Sequence, residues 1–421
     1  MEFKMKDICI INKNSIKKDN YPNIIEYLDT KNLVNGEFKD IINLNRFFDK
    51  IPSRAKRLVQ KNDILISTVR PNQKHFGFIT NMQSNYVVST GFAVITANQN
   101  LVNPYYLYKY FTLEKTINYL QNIAENSTSA YPSIKPSVLG ELSIDLPSRN
   151  VQNFIANILK SMDDKIDLNK KIIANLEELS QTLFKHWFVD FEFPDKDGNP
   201  YKSSGGEIND TNNLPPNWKY QSAKDIYTIN IGKTPPRKLT ELFNTKNGID
   251  WVSISDMKAD GPFINITKEN LSESAVKEYR VKLVPKNSVL LSFKLTIGRV
   301  KITNKELATN EAIAHFVTNK INSIYTYLYL KNFNFESLGN TSSIANAINS
   351  KIVKEMPILV PTSEILEKFK EIITPIFEKI ELQQKENILL TQLRDTLLPK
   401  LMSGEIEIPD DIEVNIDELS I

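Results

Sequence analysis

Several short stretches carry residue types that could do chemistry. Asn103-Pro104-Tyr105-Tyr106 and Asn199-Pro200-Tyr201 partly echo the Asn/Asp-Pro-Pro-Tyr/Phe loop that an amino-methyltransferase needs. Each lacks the second proline, and no glycine-rich cofactor loop accompanies either. Gly232-Lys233-Thr234 looks like the end of a phosphate-binding loop, but the earlier glycine would fall at Tyr227, and Pro235-Pro236 would obstruct the following helix. Asp195 and Asp197 are close enough to suggest metal-assisted hydrolysis, yet they stand in a polar linker and read as a solvated turn. The three histidines, His75, His186 and His315, form no metal-ligand pair. His186 adjoins Trp187 and is expected to pack. The one cysteine, Cys9, excludes an internal disulfide and a cysteine zinc cluster. No catalytic residue and no metal site is expected, and no cofactor is assigned to this chain.

A second kind of chemistry open to these residue types is the reading of base edges. Arg pairs with guanine and Asn or Gln with adenine in the major groove, while other basic side chains hold phosphates without specifying sequence. In the N-terminal half Arg70, Asn72, Gln73, Lys74 and His75 follow a strand-like run beside Pro71 and form a candidate exposed loop. Tyr131, Ser133 and Lys135, after Ser127-Thr128-Ser129, form a second. In the C-terminal half the candidates are Lys233, Thr234, Arg237, Lys238, Lys294, Thr296 and Arg299. Asn340 and Ser342, in Asn340-Thr341-Ser342-Ser343, are the counterpart of the first half's Ser/Thr loop. A solvated hairpin is the competing explanation at each position, and no base is assigned to any of them.

Charge supports a polyanionic partner. Of 421 residues, 1–149 carry a net +6 and 215–360 a net +8, while 150–214 and 361–421 together carry −12, leaving +2 overall. Basic blocks favour a polyanion, of which double-stranded DNA is one; chance unevenness is the alternative. At 41% hydrophobic and 24% charged the composition is that of an ordinary globular protein, too long for one domain. No apolar run approaches the roughly 18 residues of a membrane span, and Met1 to Ile10 has no signal-peptide core. A cytoplasmic location without a membrane partner is expected.

The elements that must position these residues are duplicated. Lys61-Asn62-Asp63-Ile64-Leu65-Ile66-Ser67 is repeated as Lys286-Asn287-Ser288-Val289-Leu290-Leu291-Ser292, Tyr106-Leu107-Tyr108 as Tyr327-Leu328-Tyr329, and Ile144-Asp145-Leu146-Pro147 as Ile358-Leu359-Val360-Pro361. Ser89 to Ile95 is echoed more weakly by Ala308 to Ala314. β-branched and aromatic runs at 64–69, 86–88, 92–96, 289–293, 299–302 and 312–318 read as strands.

Each half then enters a long helical pattern. From Val151 to Trp187 a 4-3 spacing selects Ile155, Leu159, Met162, Ile166, Asn169, Ile173, Leu176, Ser180 and Leu183. From Phe369 to Leu401 it selects Phe369, Ile373, Ile376, Ile380, Gln383, Asn387, Leu390, Arg394 and Leu397. These are heptad seams, each with a polar residue, Asn169 or Gln383, at the matching step, where it fixes register at a cost in stability. Pro375 lies inside the second pattern, so that helix is expected to start late or bend. Neither stripe is stable alone, and the simplest solution pairs them antiparallel. Helices of roughly 35–40 residues would be about 50–60 Å long, on the order of 15–18 base pairs of duplex. Such a rod could hold two readers apart, or merely join two domains as a coiled-coil adaptor.

The stretch Leu176-Glu177-Glu178-Leu179-Ser180-Gln181-Thr182-Leu183-Phe184-Lys185-His186-Trp187-Phe188-Val189-Asp190-Phe191 resembles the central region of type I restriction-modification specificity subunits. Phe193-Pro194, Gly198, Pro200-Tyr201-Lys202 and Ser204-Gly205-Gly206 continue the likeness. Leu393-Arg394-Asp395-Thr396-Leu397-Leu398-Pro399-Lys400-Leu401-Met402-Ser403-Gly404-Glu405-Ile406 resembles the family's C-terminal helix end. The resemblance covers essentially the whole chain. It implies mixed α+β target-recognition domains in tandem duplication, at 1–147 and 215–361, each reading half of a split DNA site. It also implies a central helix at 148–190, a linker at 191–214, a C-terminal helix at 362–404 and an acidic tail at 405–421, the two helices forming an antiparallel coiled coil. Two modification subunits using S-adenosylmethionine and restriction subunits using ATP with Mg are the implied partners.

Overall fold

The computed structural model describes residues 1–17, 21–81, 85–127, 131–245, 247–317, 320–339 and 348–412. The chain is mixed α/β and divides into two compact units, one of Met1–Lys165 with Leu390–Ile421, the other of Ile166–Leu389. Asn340, Ser342 and the last part of the acidic tail, 413–421, lie outside the described residues.

In the first unit an antiparallel sheet orders Cys9–Ile11, Phe92–Ala97, Ile64–Ser67 and Phe76–Phe78. The two central strands are mostly apolar, with Ser67 and Thr96 the polar exceptions, because both of their faces are covered. A second sheet orders Ile42–Asn45, Ile24–Leu28, Tyr86–Ser89 and Ala55–Leu58, with Ile24–Leu28 and Tyr86–Ser89 parallel. Glu2–Lys4 pairs with Ser143–Asp145. Cys9 is buried, its thiol donates to the Met5 carbonyl at 2.9 Å, and burial pushes its pKa up to about 12.

The second unit repeats this plan. Thr228–Ile231, Ile313–Val317, Val289–Ser292 and Val300–Thr303 follow the same order, extended by Phe263–Ile264. Glu269–Leu271, Ile249–Val252 and Ala308–Thr309 form the second sheet, again with one parallel pair, and Lys219–Ser222 pairs with Pro357–Val360. Asn62 and Asn287, at matching turns, both adopt positive φ, 70° and 62°. Asparagine tolerates that region better than most residues.

The two long helices are Arg149–Phe188 and Ser363–Ser403. The second does not start late: it runs unbroken through Pro375. Pro375 is exposed, so the carbonyl left without a helical partner can meet water. Most seam positions are buried, among them Ile155, Leu159, Met162, Ile166, Asn169, Ile173, Phe369, Ile373, Ile380 and Gln383. Leu176, Leu183, Ile376, Leu390 and Leu397 are only partly buried, and neighbouring Phe184, Phe377 and Leu398 go deeper. The reason is that the helices also serve the globular cores. Ile155, Ala156, Leu159, Leu398 and Leu401 join the first unit's main core with Met5, Ile64 and Tyr106. Ile173, Phe184, Trp187, Phe369, Phe377 and Ile380 join the second's with Trp218, Val289 and Phe316. Among the described residues no helix is long and apolar enough to cross a membrane.

Candidate nucleic-acid interface

The stretches that hint at catalysis have structural roles. Asn103 caps the helix Pro104–Thr112, accepting from the Tyr105 and Tyr106 amides at 2.9 and 3.2 Å, with Pro104 in the first turn. Tyr201 stacks on Phe193, their ring centroids 4.5 Å apart. Asp195 accepts from the Asp197 and Asn199 amides at 2.9 and 2.8 Å, closing a turn. A Cβ at Gly232 would stand 2.1 Å from Thr309 Oγ1, so that glycine allows close packing of its own fold. His186 is exposed and does not pack as expected; Trp187 beside it is the buried residue. His315 is fully buried, shares a 2.6 Å hydrogen bond with Thr309, and burial lowers its pKa to about 4. Among the described residues no group of three or more His, Cys, Asp or Glu could hold a metal.

The two candidate loops of the first unit come together. The hairpin between Ile64–Ser67 and Phe76–Phe78 is closed by the Ser67 amide on the His75 carbonyl at 2.8 Å, and the Ser67 hydroxyl donates to Val69 O at 2.9 Å. Arg70 donates its amide to Pro132 O at 2.9 Å, Val69 bridges Ser133, and Ile134 donates to Thr68 O at 2.8 Å. The exposed Arg70 guanidinium lies 5.4 Å from the centroid of Tyr131, itself 62% exposed. A cation resting on an aromatic face is held for recognition without losing its donors. Asn72 is exposed and Lys135 stands exposed before the short helix Pro136–Gly140. Lys74 is paired with Glu114. His75 is half-buried between Leu33 O at 2.6 Å and Gln73 Oε1 at 3.1 Å, so it braces the loop and engages Gln73 as well.

The second unit builds the matching hairpin between Val289–Ser292 and Val300–Thr303. The Ser292 amide donates to Arg299 O at 2.9 Å and its hydroxyl to Thr296 O at 2.6 Å. Ile348 donates to Phe293 O at 3.2 Å, as Ile134 does to Thr68. Arg299 takes the place of His75 and likewise ties to a carbonyl, Ile254 O at 2.8 Å. Lys294 is exposed and Thr296 half-buried. Residues 309–312 connect this hairpin to the other candidates: Lys233 donates its amide to Thr309 O at 2.9 Å, Thr234 bonds Glu311, and Phe293 donates to Ala312 O at 3.0 Å. Arg237 pairs with Glu269 at 2.8 Å and lies 4.5 Å from the centroids of both Phe243 and Trp251, which pins its guanidinium; Lys238 is exposed.

One residue absent from the sequence-based set stands among these. Leu295 is 74% exposed at φ 64°, three residues past Ser292, just as Arg70 at φ 48° is three past Ser67. A search for polar groups passes over it; alignment of the two serines finds it.

The long helices meet through polar side chains as well. In the second unit Asn169 Nδ2 donates to Glu386 Oε2 at 2.8 Å and to Asn387 Oδ1 at 2.9 Å. Gln383 donates to the same Glu386 oxygen at 3.3 Å. In the first unit Asp163 accepts from Arg394 and from Lys109. Leu168, Leu179, Leu382, Leu389 and Leu393 remain exposed along the same helices.

A family model described as the type I restriction modification DNA specificity domain matches residues 1–178 and again 215–392. The chain is 28% identical over 469 residues to the type I restriction enzyme HindI specificity subunit of Haemophilus influenzae, covering 96% of this chain and 99% of that one. It is 28% identical over 427 residues to the MjaIX specificity subunit of Methanocaldococcus jannaschii, covering 97% and 93%. The crystal structure of a type I restriction-modification system S subunit from M. genitalium covers 95% of both chains at a TM-score of 0.58 and 16% identity, a likeness of fold.

Proposed function

This chain belongs to the type I restriction modification DNA specificity family, and from that premise we propose that it is the sequence-reading subunit of such a system, each unit recognising one half of a split DNA site. The observation that carries the proposal is the duplicated hairpin. Each unit presents a basic loop closed by the amide of an equivalent serine, whose hydroxyl also holds the loop, at Val69 O in the first unit and at Thr296 O in the second. Two copies of one reading device on one chain suit a target in two parts.

The long helices, in this proposal, pair as an antiparallel coiled coil. Support comes from the second unit, where Asn169 meets Asn387 and, further along the first helix, Trp187 meets the earlier Phe369 at 5.5 Å. The exposed leucines on these helices offer docking surface to two modification subunits, with restriction subunits joining them. The chain itself is proposed to be non-catalytic and cytoplasmic; S-adenosylmethionine, ATP and Mg belong to the partners.

The test is methylation-sensitive sequencing of DNA from cells that express the chain with its modification partner. A split motif methylated on adenine is expected. A continuous motif, or no motif dependent on this chain, would overturn the proposal.

A further inference from the structure

The two hairpins share the closing bond from the serine amide and differ in the side chain they display. At the third residue past the serine the first offers Arg70 and the second Leu295, both in the left-handed region. That conformation is penalised for a bulky side chain such as leucine, and it persists where the surroundings impose it. Here they do: Ser292 Oγ donates to Thr296 O at 2.6 Å, the Thr296 amide to Lys294 O at 2.7 Å, and the Gly298 amide to Ser292 O at 3.0 Å. The loop thus holds an isobutyl group in water, next to the exposed ammonium of Lys294. Neither backbone preference nor burial accounts for leucine at this place.

We propose that Leu295 is a specificity-determining residue that packs against the C5-methyl group of thymine in the major groove. Leucine can neither donate nor accept a hydrogen bond, so it cannot read the polar pattern of a base edge. The thymine methyl is the apolar landmark of that groove, and apolar side chains are its natural complement. Lys294 would hold the adjoining phosphate and set the approach. The inference rests on the DNA-reading function proposed above and adds the base feature that the second unit selects.

The test uses the assembled complex of this chain with its modification subunits and duplexes bearing its split site. Each thymine of the site is replaced in turn by deoxyuridine, which lacks only the methyl group. For the native complex, binding should weaken about fourfold at one position, the effect of losing one buried methyl. Leu295→Ala should bind the thymine and deoxyuridine duplexes equally well at that position and leave other positions unchanged. Leu295→Asn, which suits positive φ, should lose the same discrimination, separating the side chain from the strain. Equal weakening by Leu295→Ala on both duplexes, or a site without any methyl-sensitive thymine, would overturn the inference while native binding to the split site stands. Absence of that native binding would overturn the DNA-reading function itself, and the inference with it.

Discussion

Arg394 of the second long helix donates to the Asp163 carboxylate of the first at 2.7 Å. The same carboxylate receives Lys109 and Tyr105 from the helix Pro104–Thr112. Three elements of the first unit therefore converge on one acid. Burial alone would raise its pKa, but Lys109 beside it, with hydrogen bonds from Lys109, Tyr105 and Arg394, holds it below the ordinary value. Asp163→Asn removes the charge and leaves Lys109 buried without its counter-ion. The expected loss is about 3 kcal/mol, in the range for breaking a buried pair, measured by urea denaturation at pH 7. Because the folded pKa is depressed, the contribution is complete above the ordinary value of 3.8 and fades as pH falls through the lower folded value. Native and variant chains should converge in stability there.

Arg70→Ala should relax or abolish one half-site requirement while the other persists. A lost guanidinium contact to a base corresponds to about 1–3 kcal/mol, roughly five- to 150-fold in affinity. Selection from duplex libraries with the assembled complex measures it. Loss of assembly with no change in the selected sequence would deny Arg70 a base-reading role.

Charge reversal at exposed Lys171 and half-buried Lys170, combined with Leu168→Asp, alters one stretch of the first long helix and no candidate base reader. Leu168 and Lys171 are exposed. Association with the modification subunit should weaken by an order of magnitude or more, and the methylated motif should stay the same. Native mass spectrometry and motif sequencing read the two effects separately; a changed motif with normal association would contradict this assignment.

His315 is expected to make the second unit acid-sensitive. Burial lowers its pKa from 6.5 to about 4, so between those values the unfolded chain binds a proton that the folded chain does not. Stability from this residue is therefore complete above pH 6.5 and falls as the solution is acidified toward pH 4, by about 3 kcal/mol in all. His315→Gln keeps a partner for Thr309 and does not titrate. Its unfolding midpoint should lose this acid-induced decline, which a pH series of denaturation curves would reveal.

Much of this architecture is legible in the residues. The repeated Lys-Asn-Asp/Ser segment marks equivalent turns, and the apolar spacing marks both long helices, because their cores demand it. The Arg70 and Tyr131 loops are separately visible as polar stretches, but nothing local says that they touch; that depends on the Val69–Ser133 bridge. The depth of Phe184 and Phe377 escapes a strict heptad, since a straight helix turns 3.6 residues at a time and each helix also faces a globular core. Pro375 misleads because its exposure is a tertiary fact. Leu295 is hidden by its chemistry and disclosed only by its place in the repeat.

The burial of Cys9 has a practical corollary for anyone wishing to watch these loops at work. With a pKa near 12, this sole native thiol is almost entirely protonated at neutral pH, and it is buried. A cysteine placed at position 70 or 295 would meet a maleimide dye without a competitor, on the native background. Fluorophores at the two hairpins could then report, one at a time, the order in which the halves of a duplex are engaged.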